Sequence, residues 1–351
     1  TPTPAPTPTP LPTPTPTPPP PETISLAFTG EVLSHGPVIR QAATYGSGDL
    51  SHDYGPMFAE VAPLLEAADF AVCHLETPVS SDNTALAGYP VFNAPKELPL
   101  GLAGAGYDAC STASNHSMDA GAKGVISTLN QLEAAGLGWA GMARTAEEKA
   151  EPTLYEVGGM TIGHLSYSYS LNGYVLPAGQ PYLVNVTDVD AVLQEAAAVR
   201  AAGADLVILS IQWGNEYQVN PSTTQNEQAR AFLGSPDIDL IIGAHVHVVQ
   251  PVEIIDGEYV VYGLGNSLSN QSANCCPAAT QNGIMVFVEV TGSDAAGYEV
   301  TDISFVPTRV DRTDYTIVPL PVALADPDLG PDVRALYEQV VTSTTEVVNR
   351  L

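Results

Sequence analysis

The stretch Asp239-Leu-Ile-Ile-Gly-Ala-His245-Val-His247-Val-Val249 is the most informative part of the chain for its fold. An apolar run typical of a buried strand ends at a glycine, and two imidazoles follow with one residue between them. In an extended segment, residues i and i+2 face the same side. We therefore expect His245 and His247 to address one metal ion or one anion. Taken alone, such a pair is as often one packed and one solvated histidine.

Other predicted strands also end on residues that can bind a metal. Glu31 follows a strand at Ile24–Thr29, and His74 and Glu76 close a strand at Asp69–His74. The pattern recurs further along the chain, at Asn115 with His116 and at Gln212. Since these groups follow strands repeatedly instead of scattering, we expect them to share one edge of a sheet.

Strands and helices alternate through most of the chain. The spacing predicts helices at Met57–Ala67, Gly121–Ala135, Val189–Ala202, Gln225–Leu233 and Pro331–Arg350. Further strands are predicted at Asp108–Ala113, Thr161–Tyr167, Asp205–Ile211 and Ile238–Ile242, followed by Tyr259–Tyr262, Ile284–Val290 and Tyr298–Val306 in a mostly β region. This alternation favours an α/β fold with active groups at the carboxyl ends of the strands.

The charge balance excludes one class of partner. The net charge is −28, with only 11 Lys and Arg residues. Such a surface repels nucleic acid and anionic membranes, so we expect no nucleic-acid partner. An anionic substrate would need a local metal or dipole to overcome this field. No run of 18 apolar residues occurs in the chain, so we predict no transmembrane helix.

The first 22 residues are a separate segment rich in Thr and Pro. This composition cannot bury a core and favours an extended polyproline II arm of ~3.1 Å per residue. Arms of this kind space a domain from a cell envelope, so we expect an extracellular or cell-surface protein tethered by this stalk. The alternatives are a tail with no further role, or an arm that docks on a neighbouring subunit and mediates self-association.

The four cysteines are too few for a disulfide scaffold. Cys73 and Cys110 lie in apolar runs and are interpreted as core residues. The adjacent Cys275 and Cys276 allow a strained vicinal disulfide, a bond to another chain or two free thiols, and the sequence leaves these open.

The residues at the strand ends combine carboxylates, an amide and imidazoles, which suit Mn, Fe or Zn. A pair of such ions can activate water for attack on a phosphoryl or acyl centre. No single member of the set establishes this chemistry, and its weight comes from the order of the members along the chain.

Six motifs in this order resemble a known family. They are Phe28-Thr-Gly-Glu31, His74-Leu-Glu-Thr-Pro78, Ser114-Asn-His-Ser-Met-Asp-Ala-Gly121, Gln212-Trp-Gly-Asn-Glu-Tyr217, Gly243-Ala-His-Val-His247 and Tyr262-Gly-Leu-Gly-Asn266. The chain resembles the bacterial capsule-synthesis CapA family, also called the poly-γ-glutamate capsule biosynthesis family, of the calcineurin-like metallophosphoesterase superfamily. The resemblance runs from about Ile24 to about Thr308. It suggests a CapA-like domain at residues 23–310, with a C-terminal extension at 311–351 that carries a helix.

The resemblance implies a four-layer α/β/β/α sandwich of the metallophosphoesterase type and a divalent metal site. Its implied ligands are Glu31, Glu76, Asn115, His245 and His247, with His74, Gln212 and Asn266 as additional candidates. His116 would be the general acid.

The chain departs from the family pattern at five positions. Family members usually have Asp at Glu31, Asn at His74 and Ser114, and His at Gln212 and Ala244. With these changes the site is expected to hold two ions, one ion or none.

Two functions follow from these observations. The first is a cell-envelope protein that acts in the synthesis, transfer or anchoring of an anionic surface polymer such as poly-γ-glutamate, or on its precursor, by metal-assisted hydrolysis or transfer. The alternative is a non-catalytic structural or binding protein of the cell surface, self-assembling through its arm, with a degenerate metallophosphoesterase site.

Deleting residues 1–21 distinguishes the roles of the arm. Ordering a residue costs ~1–2 kcal/mol of backbone freedom, so an arm without a partner surface adds nothing to stability. For a tether we expect a melting temperature within about two degrees of that of the full chain. Loss of an assembled form, measured by light scattering, would instead identify the arm as a contact between subunits.

Overall fold

The computed structural model describes residues 21–293 and 296–351. The Thr/Pro arm expected at residues 1–22 therefore lies outside the described residues up to position 20. Glu22 is already the first residue of the first strand.

The described residues form strands that belong to two sheets. They are β1 (Glu22–Val32), β2 (Phe70–Leu75), β3 (Ala109–Ser111), β4 (Gly138–Ala140), β5 (Leu154–Val157), β6 (Met160–Ser168), β7 (Leu206–Gln212), β8 (Leu240–Ala244), β9 (Val252–Ile255), β10 (Glu258–Val261), β11 (Asn266–Leu268), β12 (Asn282–Ser293), β13 (Gly297–Val310) and β14 (Ile317–Pro319).

The helices lie mainly between the strands of the first two thirds of the chain. They are α1 (Gly36–Tyr45), α2 (Gly55–Phe58), α3 (Ala62–Leu65), α4 (Leu98–Gly104), α5 (Gly121–Ala134), α6 (Ala146–Ala150), α7 (Val189–Ala201), α8 (Thr223–Leu233), α9 (Leu320–Leu324) and α10 (Pro331–Val348). A 3₁₀ turn covers Ala278–Gln281.

In each sheet the parallel strands lie side by side. The larger sheet has the order β14-β13-β12-β1-β2-β3-β4, with β11 also paired to β1. The smaller sheet has the order β5-β6-β7-β8-β10-β9. In the larger sheet β1 to β4 run parallel, and in the smaller one β6, β7 and β8 do so. Their carboxyl ends carry the polar residues singled out in the sequence.

Alternation of side chains along the strands creates three apolar layers. Leu26 and Phe28 of β1 face Ile208 of β7 and Ile242 of β8 between the sheets. The opposite face of the larger sheet packs on the helices α1 to α5, and that of the smaller sheet packs on α7 and α8. The predicted four-layer α/β/β/α sandwich is confirmed.

Most predicted elements are present, but the single helix predicted at Met57–Ala67 is wrong. The structure has two short helices there, α2 and α3. Pro63 has no N–H to donate to a preceding carbonyl, so the first helix cannot continue through it and a new one begins.

Cys73 and Cys110 are more than core residues, because they form a disulfide across β2 and β3. The two residues are direct partners in the parallel register, although they are 37 residues apart in sequence. Sequence reasoning missed the bond because this register depends on the pairing of the two strands.

The C-terminal segment packs on the sandwich. The strand β14 pairs with β13 at the edge of the larger sheet, and Leu320, Tyr337 and Val340 form a small core between α9 and α10. Among the described residues, no helix combines the length and apolarity that a membrane span requires.

The buried His164 should make stability depend on pH. Its Nε2 lies 2.9 Å from Ser210 Oγ, and burial lowers its pKa to about 4. An unfolded chain protonates this histidine below about pH 6.5, whereas the folded chain does not until about pH 4, so acid favours unfolding. We expect His164→Gln to remove about 2 kcal/mol of the stability lost between pH 7.5 and 5, measured by urea unfolding. Equal losses in the variant and the unchanged chain would contradict this assignment.

Candidate metal centre

The candidate site begins where the two sheets meet at their carboxyl-terminal edge. Glu31, near the end of β1, is fully buried, and its Oε1 accepts a 2.6 Å hydrogen bond from the His245 backbone N–H. The same oxygen lies 4.0 Å from His247 Nδ1. Gly30 is required here, because an added Cβ would lie 1.6 Å from the Gly265 carbonyl oxygen.

The two histidines do not lie in an extended segment, so that part of the sequence interpretation is wrong. The strand β8 ends at Ala244, and His245 and His247 have φ values of 95° and 59°. Such values are rare outside glycine and mark a conformation imposed by its surroundings. The turn directs the backbone N–H groups of both histidines at the Glu31 carboxylate. Their rings still lie together, with centroids 6.1 Å apart.

Two buried carboxyl groups, those of Glu31 and Glu76, have raised pKa values because their charged forms are unfavourable in the site. Burial raises the pKa of Glu31 to about 7, against the opposing effect of the backbone hydrogen bonds. Burial, and then the charge of Glu31, raise the pKa of Glu76 well above its ordinary value. Glu31 Oε2 and both oxygens of Glu76 have no hydrogen-bond partner. The Gln212 amide lies near enough to lower the Glu76 pKa slightly, without a well-aligned hydrogen bond.

His245 and His247 are neutral, and their rings have different hydrogen-bond environments. Burial lowers the pKa of His245 to about 4 and that of His247 well below its usual value. His247 Nδ1 donates to Asn266 Oδ1 at 3.0 Å, which orients the ring and leaves Nε2 as the free nitrogen. His245 Nδ1 is buried without a partner, and its ring packs against Tyr169.

His74 and Gln212 are engaged with each other. Gln212 Nε2 donates to His74 Nε2 at 3.1 Å, and His74 Nδ1 donates to Ser111 Oγ at 2.8 Å. Gln212 Oε1 accepts from the Asn115 backbone N–H at 2.7 Å. The amide at position 212 therefore holds the Asn115 loop in place, and both ring nitrogens of His74 are already used.

His116 is positioned for proton transfer. Its Nδ1 donates to Asp119 Oδ2 at 2.7 Å, and its ring makes an edge contact with Phe92. With Nδ1 bound to Asp119, Nε2 makes a long contact of 3.5 Å with Asn172 Nδ2 and is the nitrogen left to act on a substrate. Asp119 was missed as a site residue in the sequence, although its position three residues after His116 signals the pair.

A cavity of about 330 Å³ opens above this edge. Its wall combines histidines, aromatic rings and the loop that contains the adjacent cysteines, among them His35, Tyr89, Phe92, His116, Tyr217, His247, Cys275 and Cys276. The aromatic residues and the cysteine loop were not assigned to the site from the sequence, because nothing in their spacing relates them to the histidine pair.

The donor set fits a cation, although it is not preassembled. Among the residues that the structure describes, no three or more His, Cys, Asp or Glu side chains are gathered as a ready metal site. Three carboxylate oxygens and one imidazole nitrogen are nonetheless buried without partners. Such atoms are costly when unpaired, and a divalent cation would satisfy them.

The sequence model of a protein family, described as bacterial capsule synthesis protein PGA_cap, matches residues 25–271 of this chain. The chain belongs to this family. The match spans the strands and loops that carry every candidate ligand of this site.

Two curated relatives bear names that refer to PGA biosynthesis or to capsule biosynthesis. The PGA biosynthesis protein CapA of Bacillus subtilis is 25% identical over 286 residues, which cover 80% of this chain and 72% of that protein. The capsule biosynthesis protein CapA of Bacillus anthracis is 26% identical over 258 residues, or 71% of this chain and 61% of that protein.

Two solved structures are more distant. The calcineurin-like phosphoesterase YfkN of Bacillus subtilis has a TM-score of 0.48 at 14% identity and covers 93% of this chain and 99% of its own. A putative 5′-nucleotidase of Staphylococcus aureus has a TM-score of 0.49 at 14% identity and covers 92% of this chain and 58% of its own.

Replacing Glu76 should stabilise the metal-free protein. At pH 8 the buried, unpartnered carboxylate opposes folding, so Glu76→Gln should raise the free energy of unfolding by about 1–3 kcal/mol. Because the folded pKa is raised, the gain should shrink as the pH falls toward 4.5. We also expect Mn²⁺ to raise the melting temperature of the unchanged chain but not that of the Glu76→Gln variant.

Glu97→Gln provides the matched control. Glu97 is also buried, but its carboxylate accepts hydrogen bonds from Ser51 and Asn83. This variant should lose stability and keep the Mn²⁺ response. If both substitutions destabilise the metal-free protein equally, the carboxylate of Glu76 is not an unpaired charge.

Proposed function

We propose that this chain is a cell-envelope CapA-like protein that acts on an anionic surface polymer such as poly-γ-glutamate, or on its precursor, by metal-assisted hydrolysis or transfer. The observation that carries the proposal is the set of buried, unpartnered atoms of Glu31, Glu76 and His245 at one end of the sandwich. Membership of a capsule-synthesis family supports the substrate class.

The residues divide into three roles. Glu31, Glu76 and His245 would hold a divalent cation of Mn, Fe or Zn, with Asn115 and His247 completing the set. When bound, the cation would supply positive charge that polarises a phosphoryl or amide-type oxygen of the substrate. Asn266 fixes the ring of His247, as its hydrogen bond to Nδ1 indicates.

His116 would donate the proton to the leaving group. Its hydrogen bond to the buried Asp119 fixes the ring, so that Nε2 is the donating atom. The neutral His35 and the ring of Phe92 are buried in the wall of the same cavity and would exclude water around the reacting bond.

One bond supports the proposed location outside the cytoplasm. The Cys73–Cys110 disulfide is buried in the larger sheet, and such bonds persist in oxidising compartments. An extracellular or cell-surface protein fits this chemistry.

A non-catalytic surface protein is the second candidate. It is favoured by the absence of a ready metal cluster among the described residues and by the amide at Gln212, where the family usually has an imidazole. Metal content separates the two proposals. The purified chain is dialysed against Mn²⁺, Fe²⁺ or Zn²⁺, analysed for bound metal and assayed on a generic phosphodiester. Bound metal together with turnover supports the enzyme. Absence of both bound metal and turnover supports the second candidate.

Replacing His116 tests the proton donor. We expect His116→Ala to reduce turnover by ~10²–10⁴-fold with nearly unchanged metal content, since a general acid contributes on that scale without ligating. Asp119→Asn should have a smaller effect in the same direction, because Asn still accepts from Nδ1. His52→Ala, outside the cavity, should leave turnover unchanged. Loss of metal in His116→Ala would make His116 a ligand, and unchanged turnover would remove it from the mechanism.

A further inference from the structure

The loop that lines the cavity beside the candidate metal centre holds two thiols close together. Cys275 is exposed and Cys276 is half-buried, and their sulfur atoms lie 2.7 Å apart. Both backbone N–H groups donate to the Ser272 carbonyl, at 3.0 and 2.8 Å, which holds the cysteines in one turn. A disulfide bond is about 2.05 Å long, so the two sulfur atoms must approach each other by roughly 0.7 Å. The bond would be strained, because the Cα atoms of neighbouring residues are about 3.8 Å apart and those of disulfides are usually about 4.4–6.8 Å apart.

The chain contains a second cysteine pair in a contrasting setting. Cys73 and Cys110 are 1% and 0% exposed, between paired strands, where no external thiol reaches them. Their bond implies an oxidising compartment. The exposed pair would meet external disulfides in the same compartment, and exposed or strained disulfides are the labile ones.

We propose that Cys275 and Cys276 form a thiol–disulfide exchange site in the wall of the cavity beside the candidate metal centre, with a small-molecule disulfide as the oxidant. The Cys275 thiolate attacks the disulfide, which forms a mixed disulfide and releases one small thiol. The Cys276 thiolate then displaces the second small thiol and closes the Cys275–Cys276 bond. Two electrons pass from the cysteines to the oxidant, and the two protons end on the released thiols.

Exposure assigns the order of the two cysteines. An external disulfide reaches the exposed Cys275 first. Burial raises the pKa of the Cys276 thiol, which suits it less for the first attack. The Tyr217 hydroxyl donates to Cys276 Sγ at 3.9 Å and keeps this sulfur beside its neighbour for the second step.

Two sets of contacts connect the cysteine pair to His247 of the candidate metal centre. Tyr217 contacts Cys276 on one side and lies with its ring centroid 6.1 Å from that of His247 on the other. Asn266, which orients His247, also donates to Gln271 Oε1 at 3.1 Å and to the Thr280 carbonyl at 2.8 Å. These two residues flank the cysteine turn. Closing the bond would therefore alter the support of His247, a consequence that rests on the proposed function.

The exchange itself is tested without any activity measurement. The full chain is equilibrated with graded ratios of oxidised to reduced glutathione, alkylated and analysed by peptide mass spectrometry. We expect a reversible loss of two hydrogens from the peptide that contains Cys275 and Cys276, while Cys73–Cys110 stays oxidised throughout. In Cys276→Ser a glutathione adduct should accumulate on Cys275, because the resolving thiol is missing.

Three results would overturn the proposal. They are thiols that stay reduced at the highest oxidised ratio, an interchain disulfide, and a glutathione adduct on the unchanged chain that never resolves. Any of these would show that the pair does not close within the chain.

Metal affinity separates this inference from the function on which its consequence rests. We expect the Mn²⁺ affinity of the oxidised and reduced chains, measured by thermal shift, to differ by roughly tenfold, the scale on which residues supporting a ligand act. Equal affinities would overturn the connection to His247. If neither form binds Mn²⁺, the proposed metal centre fails, and the thiol count alone then decides whether the exchange site exists.

Discussion

The hydrogen bond from the His245 backbone N–H to Glu31 Oε1 joins the two sheets at the edge where the candidate site lies. It links the end of β1 to the turn after β8, and it requires the left-handed backbone at His245. When Glu31 is ionised, its charge makes this bond stronger than a bond to a neutral acceptor. The same turn places His247 Nδ1 3.0 Å from Asn266 Oδ1.

The same edge opposes the stability of the fold. Glu31 and Glu76 are buried with three oxygens unpaired, and their pKa values are raised as a result. A folded protein tolerates such groups where function requires them, and stability is gained elsewhere. Here the apolar layer between the sheets and the two layers of helices provide that stability. A bound cation would convert the unpaired oxygens from a cost into a contribution.

The structure shows what the side chains do at positions 74 and 212, two of the positions where the chain departs from the family pattern. Gln212 and His74 hydrogen-bond each other, and the Gln212 amide also holds the backbone of Asn115. An imidazole at position 212 could bind a metal. It has no pair of adjacent donor and acceptor atoms like the Gln212 amide, which donates to His74 and accepts from Asn115. His74 and Gln212 therefore interact directly, which their separation of 138 residues in the sequence does not reveal.

The sequence by itself determined the α/β class, most of the helices and strands, and the residues that follow the strand ends. These features are local, since the alternation of apolar residues and the punctuation by glycine act within a few positions. Only the tertiary structure decided the Cys73–Cys110 bond, the turn at His245 and the position of His116 in a cavity beside the cysteine loop. Those depend on strand register and on contacts between segments far apart in sequence, where burial and hydrogen bonding outweigh local preference.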